Sequence, residues 1–164
     1  FLGLTGYYRK FVEGYEKIAK PITNFTKKNG FLWNSATKKA FKELKRCLVS
    51  APTLALPNFQ ETFVVECDAS GRGIGAVLMQ EGRLVAYFSK TLAESHLVKS
   101  VYEKGVMALV LAVSHWRSYL IGKHFIVYTD HKALKHTLSQ RYHTADQQCW
   151  QSKILGLDFE VVYT

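Results

Sequence analysis

Apolar and polar positions along this chain follow a helical period in the first third and a strand period after it. Leu2, Leu4, Tyr8, Phe11 and Val12 mark one amphipathic set, and Ile18, Ile22 and Phe25 mark a second beyond Gly14. A third helix starts near Asn34 or Ser35, either of which can cap it, and carries Ala40, Phe41, Leu44 and Leu48 on its apolar face. Ala51-Pro52 through Leu56-Pro57 ends the helix, because proline supplies no donor and disfavours helix in the residue before it. The domain boundary is expected there, near residue 57, dividing the chain into 1–57 and 58–164.

Beyond that boundary, residues 62–68, 73–80 and 83–89 read as three consecutive strands, with Glu81-Gly82 as a two-residue turn between the last two. A long helix is predicted from His96 to Leu120, closing at Gly122. The apolar run from His124 to Thr129 then leads into Asp130. Helices over 132–139 and 145–155 and a strand over 159–163 complete the pattern. No repeat or low-complexity tract interrupts it.

Three antiparallel strands, a crossover helix and a returning strand predict a mixed α/β sheet. A right-handed crossover sets the strand ending in Asp68 beside the strand ending in Asp130, ~4.8 Å away. Carboxylates at that separation can share a hard cation such as Mg²⁺, although a terminal Asp also commonly caps a turn. On the crossover helix, Val98, Tyr102, Leu109, Ala112 and Trp116 keep three-four spacing, and position 105 joins that series, facing the sheet. It is a glycine, which inside a helix costs ~1 kcal/mol against alanine. Glu103, two residues back, is rotated by ~200° and faces away.

Charge sharpens the division at residue 57. The chain carries 22 Lys/Arg against 13 Asp/Glu, a net +9. Residues 1–57 hold eleven Lys/Arg against three acids, so nearly all the excess lies in the helical first third. Such a segment suits a polyanion, and it suits a solvated helical surface equally. Cys47, Cys67 and Cys149 are odd in number and lack zinc spacing, which points to a reducing, intracellular compartment, cytoplasmic or nuclear. No apolar stretch reaches the ~18 residues of a membrane span, so no membrane partner is expected. The chain opens on Phe1 and is expected to be part of a longer polypeptide.

Ordered motifs carry a resemblance across essentially the whole chain. Phe63-Val64-Val65-Glu66-Cys67-Asp68-Ala69-Ser70 with Gly73-Ile74-Gly75-Ala76-Val77-Leu78 resembles the opening of the ribonuclease H domain in gypsy-type LTR-retrotransposon polyproteins. Ala86 to Leu92, Tyr119 to Phe125 and Tyr128-Thr129-Asp130-His131-Lys132-Ala133-Leu134 continue it. Phe1 to Phe11, Trp33 and Ala51-Pro52 resemble the thumb-side segment of reverse transcriptase that precedes that domain.

The resemblance implies a ribonuclease H-like mixed sheet behind a small helical segment, and hydrolysis of RNA in RNA/DNA hybrids by four carboxylates around two Mg²⁺ ions. Asp68 matches the first acid and Asp130 the third. Where the family reads roughly Tyr-Glu-Lys-Glu, this chain reads Tyr102-Glu103-Lys104-Gly105, so Gly105 stands at the second acid. The fourth acid belongs to a further helix that the 164 residues do not include. Catalysis is therefore expected to be impaired and Mg²⁺ weakly held. The implied partner is RNA/DNA hybrid or duplex, with Tyr8, Arg9, Lys10, Arg72, His131 and Lys132 as candidate contacts. The alternative is a domesticated non-catalytic module that binds nucleic acid or a host protein. Trp116 and Trp150 are expected in the core, and Cys67 as a buried thiol on the strand face opposite Asp68.

Overall fold

A computed structural model of the chain describes residues 1–27, 33–70, 72–130 and 145–163. The first third holds helix α1 (Leu2–Tyr7), a 3₁₀ turn (Arg9–Phe11), α2 (Tyr15–Phe25) and α3 (Ser35–Val49). Of the two candidate caps, Asn34 is the one used: its Oδ1 accepts from the backbone N–H of Thr37 at 2.9 Å. Val12, Tyr15, Ala19, Ile22, Ala40 and Leu44 form a small core of their own. The first apolar set is less buried than its spacing predicts, since Leu4 and Tyr8 face solvent and Val12 alone of the five is fully buried. The break between α1 and the 3₁₀ turn at Tyr8 takes the residues out of one continuous helical face.

The sheet comprises β1 (Phe63–Ala69), β2 (Gly73–Gln80), β3 (Arg83–Thr91), β4 (His124–Thr129) and β5 (Asp158–Tyr163), in spatial order β3-β2-β1-β4-β5. β1, β2 and β3 are antiparallel neighbours; β4 runs parallel to β1, and β5 parallel to β4. The β2–β3 turn has positive φ at both Glu81 (49°) and Gly82 (71°), the geometry that matches strand twist in a two-residue hairpin.

The predicted 96–120 helix is three pieces: α4 (Glu94–Leu97), α5 (Val101–His115) and α6 (Arg117–Leu120). Ser100 adopts an extended conformation and starts α5, and Trp116 leaves helical geometry to end it. Val98, counted by spacing as a sheet-facing position, lies outside α5 and is 88% exposed. The predicted helix over 132–139 falls outside the described residues. The later helix is α7 (Ala145–Ile154).

α5 packs on one face of the sheet, here the inner face. Phe63, Val65 and Cys67 of β1, Phe125 and Val127 of β4, and Ala108, Leu109, Ala112 and Val113 of α5 meet in the main core, with Trp116 and Trp150 as the sequence predicts. The helical first third packs across the outer face of β3. The backbone N–H of Glu16, in the first turn of α2, donates to Ser89 Oγ at 3.1 Å. The linker joins the sheet too, with Ala55 N–H donating to the Leu84 carbonyl at 2.7 Å.

Candidate active site

β1 and β4 pair in register, Phe63 opposite Phe125 and Glu66 opposite Tyr128. The same register carried two residues further sets Asp68 beside Asp130. Because residues alternate along a strand, the buried Val65, Cys67 and Val127 assign Glu66, Asp68, Tyr128 and Asp130 to the outer face. Both aspartates are exposed at the carboxyl end of their strands. They line a groove of about 420 Å³ whose other walls include Glu13, Gly14, Glu66 and Tyr87. Glu13 and Gly14 arrive from the helical first third: Gly14, at φ 61°, turns the chain into α2 through a conformation that side chains disfavour. Across the floor Asp68 pairs with Gly75, which adds no side chain to the groove.

Burial of the Cys67 thiol, reinforced by the charges of Asp130 and Asp68 on the opposite face, pushes its pKa up to about 12. The thiol is therefore neutral and unreactive at physiological pH, as its strand position predicts. The phenol of Tyr87 is also raised, first by burial and then by Glu13.

Connectivity locates the helix position that the two aspartates lack. β3 runs parallel to β1, so α5 must begin near the carboxyl end of β1 and travel back toward the start of β4. Gly105, one turn into α5, is buried. It sits on the inner side, however, whereas Asp68 and Asp130 stand on the outer side. A carboxylate at 105 would have to meet them around the strand ends rather than across a face. Glu103 is committed elsewhere: its Oε2 accepts from the backbone N–H of Ser100 at 3.0 Å, and Ser100 Oγ accepts from the Glu103 N–H at 3.2 Å. That reciprocal pair caps α5 and holds the Glu103 side chain at the helix start.

Comparison with known proteins fits this arrangement. The family model described as "RNase H-like domain found in reverse transcriptase" matches residues 33–127. This chain belongs to that family. It is 37% identical over 165 residues to the retrovirus-related Pol polyprotein from transposon 297 of Drosophila melanogaster, covering 99% of this chain and 16% of the relative. The corresponding polyprotein from transposon gypsy of the same organism is 34% identical over 177 residues, with 99% of this chain and 17% of the relative covered. The chain thus spans less than a fifth of these curated relatives.

Among solved structures, a foamy viral protease-reverse transcriptase (dRH) in complex with double-stranded DNA has a TM-score of 0.86 at 20% identity, over 99% of this chain and 31% of that one. LC11-RNase H1 in complex with RNA/DNA hybrid has a TM-score of 0.51 at 14% identity, over 63% of this chain and 85% of that one. At such identities the likeness is one of fold.

The remaining candidate contacts of this ribonuclease H-like domain are spread out. Arg9 does not line the aspartate groove but a second pocket at the β3 edge, with Lys90 and His115. Tyr7, 77% exposed, packs edge-on against Tyr8 at 5.1 Å between ring centroids, and Lys10 lies over the Phe11 ring at 5.3 Å. Arg72 is exposed between β1 and β2. His131 and Lys132 lie outside the described residues. Glu13, Glu66 and Tyr87 are groove residues that sequence reasoning did not single out. Glu66 carried a usable signal, since it shares the strand face of Asp68; Glu13 carried none, because only tertiary docking brings it there.

Proposed function

We propose that this domain acts within a Pol polyprotein as the segment that engages RNA/DNA hybrid or duplex, and that its hydrolytic centre is severely impaired. Asp68 and Asp130 as adjacent exposed carboxylates, with Gly105 where the family's second acid belongs, carry the reading. The pair offers oxygen donors suited to Mg²⁺. Among the described residues, no group of three or more His, Cys, Asp or Glu side chains is placed to hold a metal ion. The donors present fit an ion that stays largely water-coordinated and do not fit a two-ion centre. Glu103 cannot substitute without dismantling the cap of α5. The basic balance of residues 1–57 supports a sequence-independent hold on phosphates that weakens with salt. The boundary near residue 57 belongs to the same proposal, and the separate core of the first third supports it.

The test is hybrid cleavage in Mg²⁺ by this chain and by its Gly105→Glu variant, with melting temperatures alongside. The unmodified chain should bind hybrid and leave it uncut, with melting indifferent to millimolar Mg²⁺. The variant buries a carboxylate that only a cation can compensate, so it should melt lower without Mg²⁺ and recover with it. Cleavage by the unmodified chain at a rate typical of an intact ribonuclease H would overturn the proposal.

A further inference from the structure

Two pockets lie side by side along the edge of β3, away from Asp68 and Asp130. One, of about 410 Å³, is lined by Arg9, Glu16, Lys90, Ser114 and His115. The other, of about 310 Å³, is lined by Leu92, His96, Met107, Trp150 and Lys153. Lys90 and Leu111 belong to both, which makes the two a continuous trough beside α5. Among the described residues, two buried side-chain polar atoms lack a hydrogen-bond partner: His96 Nδ1 and Ser114 Oγ. One belongs to each pocket. Buried polar atoms are ordinarily satisfied, so two orphans at the two ends of one trough call for an occupant with polar atoms at both ends.

We propose that the trough binds a nucleoside 5′-phosphate unit, with the base in the Trp150 pocket and the phosphate in the Arg9 pocket. Leu92, Met107, Leu111 and the Trp150 indole make apolar walls, with His96 Nδ1 as an orienting polar atom for a base edge. At the other end the cations of Arg9 and Lys90 outnumber the Glu16 carboxylate, and Ser114 supplies a hydroxyl donor to an oxyanion. The His115 ring rests on Phe88 at 4.7 Å between centroids and closes that side. A simple anion leaves the Trp150 pocket unfilled, and a neutral aromatic leaves the two cations uncompensated. A flat heterocycle joined to a phosphate answers both.

The experiment is calorimetric titration of the chain with AMP, adenosine, inorganic phosphate and a short single-stranded oligoadenylate. AMP should bind at least about tenfold tighter than adenosine or phosphate alone, since base stacking and phosphate contact add. Lys90→Gln should weaken AMP and phosphate, and His96→Phe should weaken AMP and adenosine while sparing phosphate. Tighter binding of the oligonucleotide than of AMP assigns the unit to a strand, and the reverse assigns it to a free nucleotide; both support the site. Binding of AMP no tighter than phosphate overturns it, as does AMP binding unchanged in either variant. Should a variant melt early, the ligand series on the unmodified chain decides. NMR shifts in the unmodified chain must also fall on the Trp150 indole and the His96 and His115 rings; shifts elsewhere sink the assignment.

Discussion

Position 105 and position 103 differ by two residues and have opposite fates. Gly105 is buried beside the sheet, whereas Glu103 sits at the helix start and satisfies the backbone of Ser100. Glu103→Ala should therefore cost stability, about 1 kcal/mol for a lost cap, and leave hybrid cleavage as it was. Thermal melting and a cleavage assay on the one variant separate a capping role from a catalytic one. The cap was legible: Ser100-x-x-Glu103 is the sequence signature of a capping box. A helix drawn from residue 96 conceals it, because Val98 continues the apolar series although it lies outside α5 and in solvent. Cys67 offers a second residue-scale check. Its folded-state pKa is raised from an ordinary thiol value near 9 to about 12, so the native state keeps a proton that the unfolded state loses. Stability should then fall as pH rises from about 9 toward 12, by at most about 1.4 kcal/mol per pH unit. Below that window the thiol should resist alkylation until the protein is unfolded, which a timed iodoacetamide reaction with and without denaturant would show.

The elements follow from spacing where one face is buried, and depart from it where tertiary docking decides. Strand alternation in β1 placed Cys67 inward and Asp68 outward, and the parallel register with β4 brought Asp130 alongside; both were readable from the sequence. The side of the sheet on which α5 packs was not. A three-four series says that a helix has an apolar face, and it is silent on which face of the sheet receives it. The consequence is concrete: the crossover helix covers the face opposite Asp68 and Asp130. Leu109→Ala, at a fully buried position of α5, should destabilise the domain by about 2–5 kcal/mol. Val98→Ala, at a position the spacing grouped with Leu109, should change stability by no more than about 0.5 kcal/mol. Denaturant melts of the two variants measure the difference, and equal losses would mean that α5 begins earlier than Ser100.

At the scale of the whole molecule, the aspartate groove is shared property. β1, β2 and β4 supply its floor, and Glu13 and Gly14 of the helical first third supply a wall. That first third has its own small core, yet it is tied to the sheet at Ser89 and, through the linker, at Leu84. It also carries almost all the excess positive charge. Deleting residues 1–57 should therefore do three separable things. The remaining sheet and α5 keep their main core, so the fragment should still melt cooperatively, though at a lower temperature, because Ala55 no longer pairs with β3 and the outer face of Tyr87 and Ser89 is uncovered. Affinity for hybrid should fall at low salt. The slope of log affinity against log salt should flatten, since fewer phosphate contacts release fewer counterions. These readouts distinguish scaffold from nucleic-acid track: lost stability with an unchanged slope assigns residues 1–57 to scaffolding alone, and a flattened slope with unchanged stability assigns them to binding alone. The shared groove and the charge distribution together call for both to change. A fragment that binds and melts like the intact chain would remove the first third from the functional unit altogether.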